Sequence, residues 1–247
     1  MIASLPMYDR PETAAANDRL WQAVRSHLGY GPEHLTRGGD VWDHWQSADL
    51  ELSQTCGYPY RARLHGRVTL VGSPVLDLPD CSPGHYHSVL VARRDDPRAT
   101  PQDYSTARFA YNEALSQSGW AAPQNWAAAR GFAFSNPIRT GAHRASALAV
   151  AEGRADIAAL DALSWHIMRQ HDAFAKDLRV LGHTDPTPAL PYITALGRDA
   201  AALREAMHRA IAGLCAADRA TLGLTGIILV PAEDYLATPN PAPPPPN

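Results

Sequence analysis

Two short stretches of this 247-residue chain put hydroxyls and a glycine just where a helix should begin. The first is Tyr111-Asn112-Glu113-Ala114-Leu115-Ser116-Gln117-Ser118-Gly119-Trp120, between a strand candidate and a helical pattern. A helix start aims unpaired backbone N–H groups and the positive end of the helix dipole at one spot, and Ser116 and Ser118 add donors there, which is the chemistry of anion binding. The same serines serve equally well as plain N-caps. The second stretch, Arg139-Thr140-Gly141-Ala142-His143-Arg144, again sets a hydroxyl (Thr140) and a glycine before a helix and adds an imidazole, His143. Two such helix starts converging would hold a tetrahedral oxyanion without a lysine. Lys176 is the only lysine in the chain.

Other chemistry-bearing residues are more isolated. Asp161 closes an apolar run and either caps the following helix or touches a ligand. Tyr8 follows the first strand candidate, where it lines a cleft or closes a turn. His85 and His87 form an HxH pair with only His65 as a third ligand, too few for a zinc site, and no cofactor is expected. Cys56, Cys81 and Cys215 have neither disulfide-framework nor metal spacing and suggest a reducing compartment. A nucleophile elbow, a phosphate-binding Walker loop and a His-Glu-x-x-His motif are all absent, so an enzyme would rest on Cys56 with His143, or Asp161 with His143.

The elements that must position these residues follow from apolar periodicity. Short runs alternate with helical patterns, which predicts an α/β chain with parallel sheets covered by helices. Strand candidates are 2–5, 50–54, 68–71, 88–92, 109–111, 132–135, 155–160 and 178–181; helices are expected over 13–28, 58–64, 118–130, 143–152, 162–171 and 199–216. The charged run 93–97 and the prolines between 185 and 191 read as two crossings between lobes. That predicts a discontinuous lobe of residues 1–93 and 189–238, a second lobe of 94–188, and a disordered proline-rich tail over 239–247. Two lobes leave a cleft beyond the strand ends, where α/β sheets take ligands, and a hinge on which to close.

Composition narrows the function further. With 45% hydrophobic and 19% charged residues the chain is an ordinary globular protein, and a net charge of −3 with scattered arginines offers no track for nucleic acid. No stretch is long enough to span a membrane, and residues 1–6 carry no signal-peptide pattern. The chain as written is expected in the cytoplasm, or in the periplasm if a leader has been removed.

The motifs together carry a resemblance. Ser116-Gln117-Ser118-Gly119, Gly141-Ala142-His143-Arg144-Ala145-Ser146 and the stretch from Ala149 to Asp161 resemble the phosphonate- and phosphate-binding proteins of ABC transporters. So do Cys56-Gly57-Tyr58-Pro59-Tyr60, Gly84-His85-Tyr86-His87-Ser88 and Thr187-Pro188-Ala189-Leu190-Pro191. The resemblance implies a two-lobed type II periplasmic-binding-protein fold with two hinge crossings, a small oxyanion ligand, a transporter permease as partner, and no catalysis. It also implies that Ser116, Gln117, Ser118 and His143 hold the anion, with Tyr58 and Tyr86 as aromatics of the cleft. Relatives that take aminoalkyl phosphonates set carboxylates near the amine; here only Asp161 stands in the corresponding stretches, so an amine-free ligand is expected. The alternative is a cytosolic enzyme on the same fold, resembling those of the menaquinone and thiamine pathways.

Overall fold

The computed structural model describes residues 1–245. They form two compact units, one of Met1–His85 and Pro188–Ala237, the other of Tyr86–Thr187 with the C-terminal tail.

The first unit is built on a five-stranded sheet in the order Ile2–Ser4, Leu50–Gln54, Tyr192–Ala195, Val68–Leu76, Leu224–Ile228. Only the first pair is parallel; the other contacts are antiparallel. Helix Ala14–Leu28 buries Leu20, Trp21 and Val24 and stops at Gly29, whose φ of 77° is cheap only for glycine. It packs against helix Ala200–Gly213, started by Asp199, whose side chain accepts from the N–H groups of Ala201 and Ala202. Strand Val68–Leu76 runs five residues beyond the expected end, straight through Gly72-Ser73-Pro74. The glycine there makes room for a neighbouring strand, since a Cβ at Gly72 would lie 2.8 Å from Ile227 Cγ1. Glu51, fully buried in this sheet, meets Arg198 at 2.7 Å.

The second unit holds another five-stranded sheet, ordered Asn136–Arg139, Arg108–Tyr111, Ile157–Asp161, Ser88–Arg93, Leu178–His183. The first three strands run parallel and the last two are antiparallel additions. Both sheets are therefore mixed where all-parallel sheets were expected. The inner strands Ile157–Asp161 and Ser88–Arg93 are almost wholly buried, and a strand covered on both faces reads as a continuous apolar run whichever way its neighbour points.

Two boundaries differ from expectation for identifiable reasons. The chain first leaves unit one between His85 and Tyr86, not near residue 93, because Ser88–Arg93 is an inner strand of the second sheet. The charged run that looked like a crossing is a turn inside the second unit, where Arg93 pairs with Asp95 and Arg98 with Asp96. The Arg98 guanidinium holds the Asp96 carboxyl well below the usual carboxylate range. The expected strand over 132–135 lies instead at Asn136–Arg139. Phe132 and Phe134 alternate like strand residues, but Phe134 N–H donates to the Gln124 side chain and its ring stacks on Phe109 at 4.6 Å. The true strand is a half-exposed edge with little apolar signal.

The tail departs furthest. Of residues 239–247, expected to be disordered, 246 and 247 lie outside the described residues, and the rest belongs to the second unit. Trp120 Nε1 donates to the Ala242 carbonyl at 3.0 Å and Asn125 Nδ2 to the Pro239 carbonyl at 2.8 Å. A proline-rich segment makes no internal hydrogen bonds, so its carbonyls stay open to donors on a neighbouring surface. Truncation after Ala237 is expected to red-shift tryptophan emission and lower stability by about 1–2 kcal/mol, two net hydrogen bonds' worth. Unchanged emission and melting temperature would show the tail to be idle.

Candidate functional site

Strand Arg108–Tyr111 delivers the chain to a loop that ends at Ser116, whose backbone is extended (φ −84°, ψ 127°) and whose hydroxyl accepts from Gly119 N–H at 3.0 Å. Ser116 is thus a true N-cap. The turn it opens, Gln117–Ala121, is wound as a π-helix before helix Ala122–Ala128, with Ala121 N–H reaching back to the Ser116 carbonyl. Such wide turns are rare and recur at functional sites. A Cβ at Gly119 would collide with Asn112 Oδ1, so any larger residue here would have to displace the Asn112 side chain. Ser116, Gln117 and Ser118 are all buried. Gln117 Nε2 donates to Thr187 Oγ1 at 3.4 Å.

The second stretch is tied to the first through backbone. Thr140 N–H donates to the Tyr111 carbonyl at 2.8 Å and Gly141 N–H to the Asn112 carbonyl at 3.0 Å. The Thr140 hydroxyl donates to the same Tyr111 carbonyl and pairs with Ser146 Oγ at 2.6 Å, so its role is to hold the loop. Gly141 sits at φ 87°, which turns the chain into helix His143–Ala151. That helix has Ala142 at its N-cap and no side chain to satisfy its first N–H groups.

The two stretches meet through side chains at one point, where Ser118 Oγ and His143 Nε2 lie 2.9 Å apart. His143 Nδ1 is buried and has no hydrogen bond of good geometry to the described residues. Burial pushes the imidazole pKa down to about 4, against a smaller raising effect of the Ala159 backbone. At neutral pH the pair is therefore uncharged, and the charge on offer to an anion is that of two helix starts. Asn112 belongs with this group too, its buried Oδ1 making no hydrogen bond and held against Gly119. Sequence reasoning passed over it because an asparagine in a loop ordinarily turns back on its own backbone.

The remaining residues fall elsewhere. Asp161 accepts from Ser164 N–H at 2.8 Å and caps helix Ala162–His171. Tyr86, the first residue of the second unit, is buried. Tyr58 and Tyr8 belong to the first unit; the Arg61 guanidinium lies 4.3 Å over the Tyr58 ring, and the Tyr8 carbonyl accepts from the Thr13 hydroxyl. His87 lies against His183, ring centroids 4.4 Å apart and planes tilted by 33°. Among the described residues no group of three His, Cys, Asp or Glu is placed to hold a metal, and no helix is long and apolar enough to cross a membrane.

A family model described as "ABC transporter, phosphonate, periplasmic substrate-binding protein" matches residues 2–235. No curated protein matches. Among solved structures, a methylphosphonate complex of the Prochlorococcus marinus protein PhnD1 superposes with a TM-score of 0.75 at 14% identity, covering 95% of this chain and 93% of that one. A binding component of a Pseudomonas aeruginosa ABC phosphonate transporter gives 0.71 at 16% identity, covering 96% and 82%. A Xanthomonas citri protein bound to ATP gives 0.65 at 18% identity, covering 96% and 94%. At these identities the likeness speaks for the fold alone, a two-lobed binding-protein fold.

Proposed function

This chain belongs to the family of phosphonate ABC-transporter periplasmic substrate-binding proteins, and from that membership we propose that its second unit grips the anionic head of a small phosphonate or phosphate-like ligand at Ser118 and His143. The observation that carries this is the 2.9 Å contact between Ser118 Oγ and His143 Nε2, which joins two helix starts inside a single unit. Ser116 and Thr140 shape the site as cap and staple, and Gln117 of the same turn is proposed as further lining. The role is solute binding, with a transporter permease as partner and the periplasm as the place of work.

The carboxylates of the second unit's loops favour a ligand without an amine. Glu113 is paired with Arg139 and Asp161 spends one oxygen on a helix N–H, so a buried ammonium would have to compete for a carboxylate that is already engaged. In a thermal-shift scan, methylphosphonate at a hundred times its dissociation constant should add about 2.7 kcal/mol, seen as several degrees. 2-Aminoethylphosphonate should gain nothing over it. Sulfate and acetate at matched ionic strength serve as controls; equal shifts from all four anions would remove the specific site.

A further inference from the structure

Trp120 is held at both ends. Its backbone N–H donates to the Ser116 carbonyl at 3.2 Å, closing the wide turn around Ser118, and its indole Nε1–H donates to the Ala242 carbonyl of the tail at 3.0 Å. Between the two, its ring lies 4.9 Å from that of Tyr111, the last residue of the strand that leads into the site. The direction of the outer bond is fixed by chemistry, since an indole nitrogen only donates and a carbonyl only accepts. With the tail in place Trp120 is 4% exposed, and a buried N–H is unfavourable to leave unpaired. Water can satisfy that donor once the tail is gone, but it cannot hold the ring in place, and the turn that the ring anchors loosens.

The tail fits this surface by its period. Polyproline II repeats every three residues, which sets the carbonyls of Pro239 and Ala242 on one side about 9 Å apart at its rise of about 3.1 Å per residue. Their donors, Asn125 Nδ2 and Trp120 Nε1, stand on one helical run made of Gln117–Ala121 and Ala122–Ala128. Five positions at about 1.5 Å each separate those two residues by about 7.5 Å, and the longer indole spans the rest. Pro239, Pro241 and Pro243 fix the backbone on either side of both carbonyls, so seating orders little that was free before. The tail and its donors all belong to the second unit.

We propose that residues 238–245 act as a strap on the second unit: seated across Trp120 and Asn125, they hold the turn of Ser118 in its binding form, so that tail seating and anion binding strengthen each other. This rests on the reading that Ser118 and His143 form the site. By linkage the effect is reciprocal, the ligand tightening the tail by the factor with which the tail tightens the ligand. Its size is limited by the worth of two net hydrogen bonds, about five- to thirtyfold in affinity.

The test is calorimetric titration with methylphosphonate of the full chain and of a chain ending at Ala237. The truncated chain should bind at least about fivefold more weakly, and no more than about thirtyfold. A peptide of residues 238–245, added at about 5 mM to match the effective concentration of a short tether, should restore most of the loss. Asn125→Ala removes one seat at a distance from the site and should weaken binding by the full chain about threefold, half of the effect on a logarithmic scale. Truncation of that variant should then cost less than truncation of the unchanged protein, because both act on one contact. Equal affinity of the full and truncated chains overturns the proposal and leaves the binding function intact. So does a loss that the peptide fails to reverse, since it marks general destabilisation. If the full chain binds no methylphosphonate, the site itself falls and the strap with it.

Discussion

Replacing Arg198 by methionine should destabilise the protein by about 3 kcal/mol, the largest stability effect expected of any single change described above. Glu51 is fully buried on an inner strand of the first sheet, and the Arg198 guanidinium, 27% exposed, meets it at 2.7 Å. Breaking a buried pair from one side leaves an uncompensated charge, which costs roughly 3–5 kcal/mol; the partial exposure of Arg198 lets water relieve some of it and sets the lower figure. Glu51→Gln removes the charge and keeps the shape, so it should cost less than Arg198→Met. Replacing both by leucine and methionine should recover most of the loss, because packed apolar groups serve about as well as a buried ion pair. Urea unfolding of the four proteins decides it. A loss under about 0.5 kcal/mol in Arg198→Met would class the pair with ordinary surface salt bridges.

Alanine at Ser118 or His143 should weaken methylphosphonate binding by about ten- to a hundredfold while leaving the fold intact at neutral pH. Each change removes a hydrogen bond that serves a charged ligand, worth roughly 1.5–3 kcal/mol. His143 has a second signature. Its folded-state pKa of about 4 lies below the ordinary 6.5, so the unfolded chain binds the proton more tightly. The stability this gives is fully present above the ordinary value and is lost as pH falls through the window down to about 4. At about 1.4 kcal/mol per unit the whole loss is near 3 kcal/mol. His143→Ala should lack this acid-side loss, and Ser118→Ala should largely keep it. Unchanged affinity in both variants, with a lower melting temperature, would reduce the pair to helix capping.

Much of this protein is written locally. The helix over 14–28 announces itself by apolar spacing and a terminal glycine, and the one starting at 200 by Asp199, because caps and amphipathic faces are built from residues a few positions apart. The serines, Thr140, Gly141 and His143 were readable as helix-start residues for the same reason. Local sequence stops short of partners far along the chain. Whether a buried run such as 157–161 pairs in parallel depends on partners 48 residues away on one side and 65 to 73 on the other, and its own apolar residues are the same either way. That the run at 93–97 is a paired turn, that the edge strand begins at Asn136, and that Trp120 draws the tail onto the second unit were likewise decided by the assembled surface. So was the most consequential feature. Ser118 and His143 stand 25 residues apart, and either alone is an ordinary cap; their contact exists only because two loops are bound backbone to backbone beside one sheet.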